Sequence, residues 1–414
     1  MTDRHTPREV AAQIFSMPVI VAALGYFVDI YDLVLFSIIR VESLKDLGLT
    51  GQELINRGVF LLNMQMAGML MGGILWGVLG DRKGRLKIMF GSICLYSLAN
   101  LGNAMVHTLP SYACLRFLAG VGLAGELGAG ITLVSEVLRK TMRGYGTMIV
   151  ASVGVSGAIL ANFIAKQFDW RSAFVIGGVL GLLLLVLRLK VAESGMFRGL
   201  EESAVRRGDF LSLFTSTDRF GRFFHSIMIG VPTWFVVGIL ITFSPEFAKA
   251  LGIRGSISAG NAVMYCYLGL VFGDVASGVL SQLLKSRRRV VLIFLGLTVM
   301  GVVGYFMAGG AEASSFYAIC TFLGFASGYW AIFVTIAAEQ FGTNLRATVA
   351  TTVPNFVRGM VIPITMLFQL FRQSMGLERG AWCVGAICMA VALFSLWRLQ
   401  ETFHKEMDFL EEYP

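Results

Sequence analysis

A chain of 414 residues that is 56% hydrophobic and 14% charged, with a mean hydropathy of +0.72, departs from soluble domains, where about 25% of residues are charged. The net charge of +8 would suit a nucleic-acid binder, but the basic residues follow membrane topology rather than forming a patch, so nucleic acid is excluded as a partner. The six cysteines (Cys94, Cys114, Cys266, Cys320, Cys383, Cys388) all lie in apolar stretches, and the four histidines (His5, His107, His225, His404) lack ligand spacing. Neither a disulfide framework nor a metal site is expected, and no cofactor.

In chain order, twelve apolar stretches fall at 15–40, 57–80, 87–106, 111–135, 145–166, 170–190, 223–247, 258–284, 290–310, 315–338, 347–371 and 381–399. Each can cross the ~30 Å hydrocarbon layer, and the need to pair every backbone amide in lipid makes them helices. The first stretch is too long for a cleavable signal, contains Asp29 and Asp32, and lacks a small-residue cleavage site. Between stretches six and seven lies the one long polar segment, with Arg198, Glu201, Glu202, Arg206, Arg207, Asp209, Asp218, Arg219 and Arg222. It reads as a cytoplasmic linker. The predicted organisation is a six-helix bundle over 1–191, a linker over 192–222, and a second bundle over 223–414 whose mildly acidic tail reads as a solvated end.

With both termini inside, nine Lys and Arg face outward: Arg40, Lys45, Arg57, Lys166, Arg171, Lys249, Arg254, Arg372 and Arg379. Arg116 and Arg358 lie within helices, and the other 23 of the 34 are cytoplasmic, the bias of the positive-inside rule. The two halves echo one another. Gly77-Val-Leu-Gly-Asp-Arg-Lys-Gly-Arg-Leu86 has a worn copy 201 residues on, from Gly278 to Arg288, in which Gln282 replaces the acid Asp81. Glu136 and Arg143 recur 203 residues on as Glu339 and Arg346. Repeated halves of this kind point to a transporter.

Gly77-x-Leu79-x-Asp81-Arg82-x-Gly84-Arg85 resembles the signature loop of the major facilitator superfamily, Arg116-x3-Gly120 its helix 4 motif, and Glu136-x6-Arg143-Gly144 the end of that helix. Gly25-Tyr-Phe-Val-Asp29-Ile-Tyr31-Asp32 is similar to the first helix of the metabolite:proton symporters, and Gly125-Glu126 to their helix 4, with differences at Tyr26, Ile30, Ala119 and Ala124. The resemblance implies an all-α membrane protein of twelve transmembrane helices in two pseudo-symmetric six-helix bundles. It also implies proton-coupled uptake of a small organic acid or zwitterion by alternating access in a bacterial inner membrane. In that family the loop latches the halves on the cytoplasmic side, which makes Gly77, Asp81, Arg82, Gly84, Arg85, Glu136, Arg143, Glu339 and Arg346 gating candidates.

Charges inside transmembrane helices are costly and mark function or obligatory pairing. Asp29 and Asp32, three apart, share a helix face. Counted from the expected helix ends, Asp32 and Arg116 lie at similar depth, and the resemblance implies that helices 1 and 4 both line the central cavity, so a pair that loads and releases a proton is expected, with Asp29 and Glu126 as further proton-site candidates. The other reading is an ion pair that only locks the bundle. Asp29, Asp32 and Glu126 have aromatic or apolar counterparts in the second half, near Trp234, Tyr329 and Trp330, which are candidates to shape the substrate site or, alternatively, to pack. Arg358 either pairs with Asp274 or grips a substrate carboxylate. The expected partners are a small-molecule substrate, protons and the lipid bilayer, and a monomer suffices. The alternatives are a sugar or polyol porter, a proton-driven exporter, a non-transporting sensor, and a polytopic enzyme, which would need a catalytic cluster that the sequence does not offer.

Overall fold

Twelve helices, each built on an apolar run with few interior charges, account for the computed structural model, which describes residues 16–83, 85–126, 130, 143–193, 210–403 and 411. They are α1 (Met17–Asp46), α2 (Gly51–Lys83), α3 (Arg85–Asn103), α4 (Leu109–Leu123), α5 (Arg143–Val155 and Gly157–Gln167) and α6 (Trp170–Glu193). The second set is α7 (Thr217–Met228, Val231–Phe235 and a π-helical stretch Val236–Ile241), α8 (Ala259–Leu284), α9 (Arg287–Met307), α10 (Ala313–Ala326 and Trp330–Glu339), α11 (Thr343–Gly359 and Val361–Met375) and α12 (Leu377–Arg398). Ten stretches are long and apolar enough to cross a bilayer, and α3 and α4 complete the twelve. The described residues contain no strand, only an isolated bridge between Arg254 and Glu312.

Several helices outrun their apolar cores. α1 continues to Asp46 rather than ending near residue 40, and α7 starts at Thr217, inside the expected linker, after a 3₁₀ turn at Phe210–Phe214. Polar side chains end a hydropathy run without ending a helix. The connections are short and capped: Asp169 accepts from Arg171 N (3.1 Å) and Ser172 N (3.3 Å) at the start of α6. The Ser172 hydroxyl and these amides hold the Asp169 carboxyl below its ordinary value.

The sequence repeat is also a packing repeat. A Cβ added at Gly68, Gly72 or Gly120 would collide with the carbonyls of Phe117, Val121 and Gln65 where α2 crosses α4. Gly269, Gly273 and Gly324 meet the carbonyls of Thr321, Phe325 and Cys266 in the same way where α8 crosses α10. Close approach of backbones at small residues is how helices associate in lipid, where apolar burial gives no drive. The glycine run of α2 therefore has two roles. Gly68 and Gly72 belong to this fixed crossing, while Gly73 packs on Asn355 and Gly77 faces Thr352, both on α11.

Four described helices are interrupted at depth, and a fifth ends there. α4 ends in a turn at Ala124–Gly125, α5 breaks at Ser156, α7 carries the π-helical stretch, α10 breaks at Ser327–Tyr329, and α11 breaks at Met360 between Pro354 and Pro363. At α4, α7 and α10, side chains of neighbouring helices satisfy released backbone groups. Asn355 donates to Ala124 O (2.9 Å), Tyr329 to Ile229 O (3.0 Å), Tyr305 to Leu240 O (2.8 Å), and Asp274 accepts from Ala331 N (3.2 Å). Such breaks survive in a membrane only when re-satisfied in this way.

The described part of the C-terminal tail is not a solvated end. Glu401 accepts from Ser286 Oγ and from the Arg287 and Arg288 amides at the start of α9. Glu411 pairs with Arg222 (2.9 and 3.0 Å) and with Gly342 N (3.2 Å). Burial pushes the Glu411 carboxyl up, and the Arg222 guanidinium more than offsets it, so the group sits below its ordinary value. Acidic residues at the end of a chain read as solvated only until their cationic partners are known.

The crossings give a direct test. Gly120→Leu should abolish the monodisperse peak in detergent size-exclusion chromatography, whereas Gly296→Leu, with open space around its α-carbon, should leave it unchanged.

Candidate functional site

Three buried acids line α1 and the end of α4: Asp29 and Asp32 are fully buried and Glu126 is 2% exposed. Although Asp29 and Asp32 lie on one face, their surroundings differ. Asp29 Oδ2 lies 3.7 Å from Arg358 Nη2 on α11. Arg358 therefore meets a carboxylate of the first half and does not pair with Asp274, which caps the inner segment of α10 at Ala331 N. The break at Met360 leaves Arg358 in the last turn of its helical segment, with Tyr26 and Tyr267 beside it.

Asp32 and Arg116 do not form the expected ion pair. The depth estimate assumed that α1 ends near residue 40. Arg116 instead lies over the rings of Phe174 (5.0 Å) and Phe36 (5.7 Å), one helical turn beyond Asp32, and donates to Gln65 Oε1 (3.4 Å). Asp32 lodges against Gly177 of α6, where a Cβ would sit 2.5 Å from Oδ1. Neither Asp32 oxygen has a hydrogen-bond partner, nor do Arg116 Nε and Nη2, both oxygens of Asp29, or Arg358 Nε and Nη1. Buried polar atoms are normally satisfied, and these unpartnered atoms gather where α1, α4, α6 and α11 meet.

Glu126 has a partner that the sequence reading missed. Arg188 of α6 binds it through two contacts, Nη2 to Oε2 at 2.9 Å and Nη1 to Oε1 at 3.2 Å, and Ser92 adds a 3.0 Å hydrogen bond. Gly25 makes the room, since a Cβ there would collide with Arg188 Nη2. Arg188 lies near the end of an apolar run, where it reads as a topology charge; only its 4% exposure separates it from a loop arginine.

The aromatic candidates divide. Trp234 and Trp330 meet edge to face at 6.3 Å, and the buried Trp234 Nε1 has no acceptor. Tyr329 is fully buried, with its hydroxyl bound to the α7 backbone. Among the gating candidates, Gly84 and Glu136 lie outside the described residues, as do the side chains of Asp81, Arg82, Arg85 and Arg143. Glu339 and Arg346 do not pair with each other. Glu339 instead receives Arg287 (3.3 Å) from the copied loop and Thr402 (2.6 Å) from the tail, while Arg346 donates to Phe341 O (3.3 Å).

Removing one partner of a buried ion pair strands the other charge at a cost of ~3–5 kcal/mol, more than removing both. Arg188→Met should therefore lower the melting temperature in detergent further than the double variant Arg188→Met/Glu126→Gln, as read by differential scanning fluorimetry. An equal or smaller loss in the single variant would show that the pair does not hold α4 to α6.

The profile of the Major Facilitator Superfamily matches residues 22–362. The chain is 28% identical over 301 residues to the 3-(3-hydroxy-phenyl)propionate transporter of Escherichia coli (strain K12), covering 70% of this chain and 71% of that protein. It is 24% identical over 403 residues to the gentisate transporter of Corynebacterium glutamicum, covering 91% and 86%. Among solved structures, the proton:xylose symporter XylE superposes with a TM-score of 0.71 at 18% identity, over 95% of this chain and 97% of that one. A profile match over most of the chain, on twelve helices with paired glycine crossings and charged interiors, identifies this protein as a membrane-spanning transporter of the major facilitator superfamily.

Proposed function

We propose that this transporter imports a small organic acid together with protons, and that aromatic carboxylates are the substrate class. The carrying observation is the Asp29–Arg358 pair, which joins the first and second halves at full burial while its remaining polar atoms lack partners. A guanidinium can hold a carboxylate by two parallel hydrogen bonds. A substrate carboxylate arriving at Arg358 would take the place of Asp29, and Asp29 would neutralise its stranded charge by taking a proton. Anion and proton then enter together, and their loss restores the pair. Asp32, with Arg116 one turn away, and Glu126, held by Arg188, extend the proton-bearing set, while Trp234 and Trp330 offer an aromatic wall. The similarity to carriers of hydroxyphenylpropionate and gentisate supports the substrate class.

The proposed setting is a bacterial inner membrane with both termini in the cytoplasm, as the charge bias indicates. The units are 1–191 and 223–414, with α7 extending the second back to Thr217 and the rest of 192–222 joining them, alternating access as a monomer. Gly77, Asp81, Arg82, Gly84, Arg85, Glu136 and Arg143 are the proposed latch on the cytoplasmic side, with Glu339 and Arg346 stabilising the second half's counterpart.

Solid-supported-membrane recordings on proteoliposomes, with benzoate and 3-(3-hydroxyphenyl)propionate as probes, should give currents that grow with an inward proton gradient. Asp29→Asn should abolish the response to the gradient, and Arg358→Gln should abolish substrate binding. Substrate currents that are independent of pH and survive Asp29→Asn would overturn proton coupling through this pair.

A further inference from the structure

At the end that the charge distribution assigns to the outside, the halves meet around a second, unassigned charge cluster. Arg40, the last apolar turn of α1, is fully buried and its Nη2 lies 2.5 Å from Glu246 Oε1, in the short helix Ser244–Ala250 that follows α7. Arg372 of α11 is 8% exposed and within electrostatic reach of the same Glu246, and its Nη2 donates to Asn56 Oδ1 on α2 at 2.8 Å. Each guanidinium lies over a phenylalanine, Arg40 over Phe243 (4.4 Å) and Arg372 over Phe368 (5.9 Å), and those two rings are 6.3 Å apart.

The cluster is thus two arginines to one carboxylate. Arg40 Nε and Nη1, Arg372 Nη1 and Glu246 Oε2 are buried without hydrogen-bond partners, so the single carboxylate meets Arg40 through one oxygen only. Cation–π contact offsets only part of the cost of a buried positive charge, so the arrangement is short of one anion. A cleft of about 430 Å³ opens beside it between α2 and α11, lined by Glu53, Asn56, Arg57, Phe60, Gln369 and Gln373. Arg57 is already matched there by Glu53 (3.6 Å), and Asn56 is common to the cleft and to the Arg372 contact. The lining offers amide donors and an aromatic face, and Asn56 joins it to the guanidinium of Arg372 just behind it.

We infer that Arg372, backed by Arg40 and Asn56, is an external capture site for the carboxylate of the incoming substrate. This rests on the reading of the protein as an organic-acid importer. Glu246 holds Arg40 and closes the seam, and the second arginine is left to recruit an anion from solution. Exchange of Glu246 for a substrate carboxylate in this cluster would link capture to the parting of the outer ends.

Uptake of radiolabelled benzoate should be measured in right-side-out and inside-out vesicles. Arg372→Gln should raise KM about tenfold from the outer face, as expected for loss of one charge-assisted hydrogen bond, with little change in Vmax and none in KM from the inner face. Arg372→Lys should recover most of the affinity, which separates capture from a folding defect. Glu246→Gln, by adding to the charge surplus, should lower the outer KM. Normal outer KM in Arg372→Gln, or equal changes from both faces, overturns the capture site while leaving organic-acid import standing. Wild-type protein that transports no carboxylate overturns both.

Discussion

Within a bundle surrounded by lipid, each backbone group and each charge must find its partner inside the protein, and the interior of this transporter follows from that constraint. Four described helices break at depth and α4 ends there, and side chains from other helices answer three of these points: Asn355 reaches Ala124 O, Tyr329 reaches Ile229 O, and Asp274 caps the inner segment of α10. Without these bonds the interruptions would cost several kcal/mol each. With them, α7 and α10 keep interrupted midpoints within the packed interior, where α5 and α11 are interrupted as well. The Asp29–Arg358 contact lies at one such point, in the last turn before the break of α11.

Symmetry and its loss divide the work between these elements. The glycine crossings of α2 with α4 and of α8 with α10 repeat residue for residue, because close backbone packing is a structural need of either half. The charges do not repeat. Asp29, Asp32 and Glu126 belong to the first half, where the register of the second has Pro232, Phe235 and Tyr329. Yet the asymmetry is not a segregation of charge to one side. Arg358 carries a cation from the second half into the acidic core of the first, so the seam between the halves is itself an ionic contact.

Polar seams recur toward the end assigned to the outside. Thr242 bonds Ser37 (3.1 Å), Thr365 bonds Asn63 (2.8 Å), and Asn162 bonds Asn261 (3.3 Å), alongside the Arg40–Glu246 pair. Contacts of this type exchange for water at small net cost. They differ from the glycine crossings within each half, where backbones are in direct contact.

The twelve spans, the duplicated halves and the buried acids were all legible in the chain, because a 20-residue apolar run and a carboxylate within it each have one economical reading in a bilayer. The identity of each charge's partner was not. Asp32 and Arg116 looked level until α1 ran on to Asp46, Arg358 was weighed against Asp274 and met Asp29, and Arg188 passed for a loop charge although it holds Glu126. Hydropathy depends on composition along one segment and is local. An ion pair depends on helix tilt, on where breaks fall and on the glycine that clears its path, which residues far apart in the chain decide together. The sequence by itself determined that charges sit in this membrane interior; only the packing of twelve helices decided which of them touch.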